Sequence, residues 1–164
     1  MRWCAAVDLI DRVLAAAWRL PWLIRLLAAV GLPVLLWWSS SMPRDSHGGN
    51  AVKAFLHNGA HVVAFGLVAM TLWLLRLDAN RGSAAPAGVY LLAMVYGLLD
   101  ELHQRHVPGR ACSVVDLLSD SVGAGLAIAV AQWRLVGEQP YRQVCLYGVI
   151  AAIGAVSLAT WGPW

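Results

Sequence analysis

From Leu26 to Pro43 the chain carries no ionisable side chain, and this run constrains the fold more than any other feature. About 20 mostly apolar residues, rising 1.5 Å each in a helix, are enough to cross the hydrocarbon of a bilayer. Further apolar runs follow at about 57–75, 87–102, 113–133 and 143–161. The expectation is an all-α fold: a polytopic transmembrane helical bundle of about five spans, forming a single domain over residues 1–164. Residues 1–22 mix Arg2, Asp8, Asp11, Arg12 and Arg19 with Val7, Ile10, Leu14 and Trp18. That spacing predicts an N-terminal interfacial helix lying on the membrane surface. A cleaved signal peptide competes with it, but the basic region is too long and Trp37-Trp38 sit where small residues are preferred.

Composition agrees with the membrane reading. The chain is 60% hydrophobic and 13% charged, where a soluble domain carries about a quarter charged residues. The lipid bilayer is therefore its first partner. A net charge of +3 spread along the chain, without a basic block, excludes nucleic acid as a partner. Cys4, Cys112 and Cys145 are odd in number and far apart, so they form neither a disulfide framework nor a paired redox motif. Cys112 lies near Arg110, a setting that favours thiolate, but no partner base accompanies it.

Lys and Arg divide unequally between the two ends of the spans. Arg2, Arg12, Arg19, Arg25, Arg76, Arg81, Arg134 and Arg142 fall on one side, against Arg44, Lys53, Arg105 and Arg110 on the other. The positive-inside rule then puts the N-terminus in the cytoplasm of a multi-pass cell-membrane protein. Polar loops are expected at 44–56 and 76–86, and Trp18, Trp22, Trp37, Trp38, Trp73, Trp133, Trp161 and Trp164 would form the interfacial belts.

Against this background the stretch Asp100–Gly125 stands apart: DELHQRHVPGRACSVVDLLSDSVGAG. Ionisable residues at the edge of a span are costly, and function is the default reason for keeping them. With alternating spans, the start of the second, the end of the third and the start of the fourth reach one membrane face, which the charge asymmetry makes the outer one. Asn58 and His61 are i and i+3 on one helix, Glu101 and Gln104 are i and i+3 on the next, and Asp116, Asp120 and Gly123 are i, i+4 and i+7 on the fourth. Each set shares a helical face. The Val107-Pro108-Gly109 turn brings Arg110 between two of them. Small residues, among them Gly123, Gly125, Gly148 and Gly154, allow the helices to approach closely.

These residues resemble the VanZ-like membrane proteins. HNGAHVVAFGL with Asn58 and His61, then DELHQRHVPGR, then SVVDLLSDSVGAG follow that family's Asn/Asp-x-x-His, Glu-x-x-Gln, Gly-Arg and Asp-x-x-x-Asn/Asp-x-x-Gly order over about residues 57–126. Gly59 stands where Lys is common and Phe65 where Tyr is common, so no Lys cation or Tyr hydroxyl is expected there. The resemblance implies a cell-envelope setting and an association with low-level resistance to the glycopeptide teicoplanin.

Two classes of function follow. As an enzyme on a lipid-linked envelope precursor, the chain would use Glu101, Asp116, Asp120 and His61 for acid/base work or as ligands of a divalent cation. Arg110, Gln104 and Asn58 would bind the substrate, Arg110 by a bidentate contact to phosphate or carboxylate. As a non-catalytic protein, it would recognise a precursor or a glycopeptide without turnover, or use the polar cluster only to hold its helices together. No dedicated nucleophile is evident, since Ser113 and Cys112 have no neighbouring base in sequence.

Overall fold

The computed structural model describes residues 2–43, 51–75, 84–110, 112–137 and 139–161. Most of the loop read at 44–56, most of the connection at 76–86, and the belt residue Trp164 lie outside the described residues. Among those described, every regular element is helical: α1 (Arg2–Trp18), α2 (Trp22–Ser40), α3 (Ala51–Leu74), α4 (Ala84–Gln104), α5 (Val114–Ala131) with a π-helical turn at Gln132–Val136, and α6 (Pro140–Trp161). The all-α bundle is the observed architecture.

Span boundaries move outward. The second helix begins at Ala51 rather than near His57, because Lys53 is exposed and a lysine can lie along an apolar surface while its ammonium reaches the polar boundary. α6 likewise starts at Pro140, proline being suited to a first turn whose N–H would be unsatisfied anyway. Among the described residues four helices, α2, α3, α5 with its π-turn, and α6, are long and apolar enough to cross a membrane. α4 has the length, at 21 residues, but its last turns contain Asp100, Glu101, His103 and Gln104. By length and composition, then, four spans qualify where the apolar runs suggested about five.

The outer faces are apolar. Leu27, Val34 and Leu35 on α2, Leu91 and Leu92 on α4, and Leu146, Ile150 and Ile153 on α6 are all exposed, a surface far too apolar for water and suited to acyl chains. Inside, α5 lies against α3, α4 and α6. Its crossing with α3 is set by glycine: a Cβ on Gly123 would stand 2.1 Å from the Val62 carbonyl oxygen, and one on Gly66 would stand 3.3 Å from that of Gly123. Only glycine permits this backbone approach, and close contact between small residues is the main source of helix association in lipid.

The two ends of the bundle differ. At one, Ala69, Trp73, Val89, Ala93, Ala124, Ile128 and Ala131 form the apolar core. Trp18 of α1 packs on Trp73 with ring centroids 5.6 Å apart, and Asp11 of α1 pairs with Arg134, so the N-terminal helix is docked on this end. Arg25 donates to the Leu74 carbonyl at 2.8 Å, satisfying an acceptor that the end of α3 leaves open. At the other end, α2, α3, α4 and α5 bring polar side chains together.

Candidate functional site

That polar end is assembled from four helix termini. Ser113 caps α5, its hydroxyl accepting from the Asp116 N–H at 3.1 Å, as serine commonly does at this position. The Ser113 N–H itself donates to Glu101 Oε2 at 2.7 Å. Glu101 thus ties the end of α4 to the start of α5, and its position is fixed by main-chain geometry. Its other oxygen, Oε1, is buried with no hydrogen-bond partner, an uncommon state for a polar atom in a side chain only 2% exposed.

Across the α3–α5 crossing, His61 Nδ1 and Asp120 Oδ1 are 3.0 Å apart. The crossing explains the contact: His61 adjoins Val62 and Asp120 precedes Gly123 by three residues, so the close backbone approach brings both side chains into reach. One potential ligand atom from each of His61, Glu101 and Asp120 lies within 4.8 Å of the others. These three are the candidate chemical residues that the structure gathers. Asp116, one turn before Asp120, is half-buried beside the cap of α5 and is not a member of this group.

Next to the trio lies a second network. Asp100 accepts from Ser40 Oγ at 2.5 Å and from Gln104 Nε2 at 2.8 Å. Gln104 is therefore engaged within α4 and through Asp100 to α2. His103 contacts Ser41 Oγ at 2.8 Å and stacks on Trp37, centroid to centroid 4.2 Å. Arg110 donates from Nε to the Met42 carbonyl and from Nη2 to the Ser39 carbonyl, at 3.1 and 2.9 Å. The positively charged fork thus gathers carbonyls at the end of α2, where a helix presents its negative pole. Asn58 turns elsewhere: Nδ2 donates to Thr160 Oγ1 of α6 at 3.2 Å.

A cavity of about 180 Å³ opens among these groups, lined by Ser39, Ser40, His57, His61, Asp100, Gln104 and Arg110, with Leu36, Ala60, Ala64 and Phe65. Leu36, Ala60 and Ala64 also line a larger apolar groove of about 530 Å³ between α2 and α3, with Phe55, Leu56, Gly59, Val63 and Leu67. Polar cavity and apolar groove share one wall.

Spacing along the chain did not reveal Ser40 or His57 as parts of this wall, and Asp100, though it opens the ionisable stretch Asp100–Gly125, was not assigned a role there. Asp100 had a usable signal, since it stands four residues before Gln104 on one helical face. Ser40 had none, because its partner is sixty residues away on another helix. Of the cysteines, Cys112 is exposed, Cys145 is buried, and both are free.

The order of helices, Glu-x-x-Gln at the end of α4 and Asp-x-x-x-Asp-x-x-Gly along α5 are now joined by a sequence comparison. The family model described as VanZ/LLP1 matches residues 16–135. The chain belongs to the VanZ/LLP1 family. The match runs from the last turn of α1 into the π-turn after α5, so every VanZ/LLP1 residue around the cavity falls within it, while α6 and its Thr160 contact to Asn58 lie beyond. No curated protein and no solved structure matches the chain.

Proposed function

We propose that this VanZ-family membrane protein acts on the anionic head group of a lipid-linked cell-envelope component, at a site on the outer face, and thereby lowers susceptibility to teicoplanin. The observation that carries the reading is the shared wall: a polar cavity bearing His61, Asp100, Gln104 and Arg110 continues into an apolar groove at Leu36, Ala60 and Ala64. Such a pair of surfaces fits an amphiphile, head group in one and hydrocarbon chain in the other.

In this reading His61, oriented by Asp120, moves a proton at the head group, with Glu101 as the second acid/base group. Arg110 faces the head group while staying anchored to the end of α2. Turnover of a lipid-linked substrate by purified protein, absent in Glu101→Gln, is the test. A wild-type protein that binds the lipid without converting it would instead identify a recognition protein.

A second reading is supported by the contacts of Asn58 with Thr160, Gln104 with Asp100, and Arg110 with the α2 carbonyls: these groups would only join helices. Arg110→Lys separates the two. Lysine keeps the charge but loses the planar fork, so head-group affinity is expected to fall about ten-fold or more, as for loss of charge-assisted hydrogen bonds of about 1.5–3 kcal/mol. Unchanged affinity alongside a lowered melting temperature would mean that Arg110 serves α2 alone.

Orientation has its own test, and the chain supplies the probe. With Cys4 and Cys145 replaced, exposed Cys112 is expected to react with a membrane-impermeant thiol reagent applied to intact cells. A single cysteine at exposed position Gln139 is expected to react only after permeabilisation. The opposite pattern would put the cavity on the cytoplasmic side.

A further inference from the structure

We infer that His61, Glu101 and Asp120 together hold one divalent cation of the kind that accepts imidazole and carboxylate ligands at once, for which Mn²⁺ and Zn²⁺ are the natural probes. Three observations carry this. One potential ligand atom from each residue lies within 4.8 Å of the other two. Glu101 keeps one carboxylate oxygen in contact with the Ser113 N–H and leaves Oε1 buried without any partner. The cluster also buries two carboxylates, Glu101 at 2% and Asp120 at 1% exposure, in a bundle whose surroundings are lipid.

Each observation bears on a different part of the problem. Ligands about 2.1 Å from a shared ion stand about 3–4 Å from one another, so the set has to close by about 1 Å, within the reach of side-chain torsion. The 3.0 Å between His61 Nδ1 and Asp120 Oδ1 already equals the spacing of two neighbouring ligands, and equally that of a hydrogen bond, so this distance alone does not decide. Glu101 Oε1 decides. An acceptor sealed from water and left unpaired costs free energy, and a cation is a partner that can also offset two neighbouring negative charges. Imidazole with two carboxylates is a mixed set that suits Mn²⁺ or Zn²⁺ better than a site for Mg²⁺ or Ca²⁺ made of oxygen alone. The Ser113 N–H fixes one ligand from outside the set, in the manner of the outer partners that orient metal ligands.

This deepens the head-group reading and rests on it for the ion's use: with the ion bound, His61, Glu101 and Asp120 serve as its ligands in place of the acid/base roles, and the cation receives an anionic oxygen that the two buried carboxylates would otherwise repel. The binding itself is measured without any lipid. Full-length protein in detergent, stripped with a chelator, is titrated with Mn²⁺ and separately with Zn²⁺. One ion per chain is expected, with at least about ten-fold weaker binding in each of His61→Gln, Glu101→Gln and Asp120→Asn, and wild-type binding in Asp8→Asn on exposed α1. Should a ligand variant fail to fold, two measurements on wild type remain: a rise in melting temperature with the ion, reversed by chelation, and electron-spin-echo modulation from a coordinated imidazole nitrogen on bound Mn²⁺. No stoichiometric uptake at about millimolar ion, or uptake without an imidazole signal, overturns the site. If wild type binds no ion yet still converts a lipid-linked substrate, this inference fails and the head-group reading stands. If it binds the ion and neither binds nor converts such a lipid, the reverse holds.

Discussion

Gly123→Ala is expected to lower the stability of the folded bundle by about 3 kcal/mol or more and to remove activity at the same time. The added Cβ would stand 2.1 Å from the Val62 carbonyl oxygen and 2.9 Å from its Cα. Both are backbone atoms of α3, so no side chain can turn away to relieve the overlap. Overpacking ordinarily costs about 1–3 kcal/mol, and the upper end applies where whole helices have to separate. Separation by even about 1 Å also takes His61 out of hydrogen-bond range of Asp120, because a contact of 3.0 Å weakens steeply beyond about 3.5 Å. Thermal denaturation in detergent reads the first effect and a lipid-turnover assay the second. Gly154→Ala is the matched control: it lies on α6 with nothing within 4 Å of an added Cβ, so little change is expected.

Asp120→Ala and Glu101→Gln are expected to reduce turnover by about a hundred-fold or more, the usual loss when a positioned acid/base group is removed, but to differ in stability. Asp120→Ala strips the His61 ring of its partner across the crossing, and a buried polar atom left unsatisfied costs about 1–3 kcal/mol. Glu101→Gln retains an amide oxygen that can accept from the Ser113 N–H, so the start of α5 stays tied and the melting temperature is expected to hold near that of wild type. Glu101→Ala would lose both. Full turnover in Asp120→Ala and Glu101→Gln alike would make the cluster a structural tie.

Much of this arrangement was legible because helices in lipid obey a narrow set of rules. Apolar length gave the helices, and three- and four-residue spacing put His61, Glu101, Gln104 and Asp120 on defined faces. Asn58 shows where such spacing stops: it shares a face with His61, yet a helical face is wide enough for one residue to meet α5 while another reaches Thr160 on α6. The Ser40–Asp100 contact depends on the relative height of α2 and α4, which no local pattern records. Lys53 hid the start of α3, since a charge at a membrane boundary does not end a helix. The π-helical turn at Gln132–Val136 has no signature in spacing, and only its end is marked, by Gly137 at φ 83°, a conformation that favours glycine.

The composition of α4 bears on how the chain enters the bilayer during synthesis. Acidic residues disfavour insertion of an isolated helix, by about 2.5–3.5 kcal/mol each at its centre and less toward its ends, and α4 carries Asp100 and Glu101 in its final turns. α3 carries no acidic residue, whereas α5 carries Asp116 and Asp120 in its opening turns. For α4 the partners arrive at different times: Ser40 is already present when Asp100 emerges, but the Ser113 N–H that donates to Glu101 is made only afterwards. A ribosome halted between the two would hold a helix whose acidic turn is half accommodated, and its full commitment to the membrane would coincide with the arrival of α5.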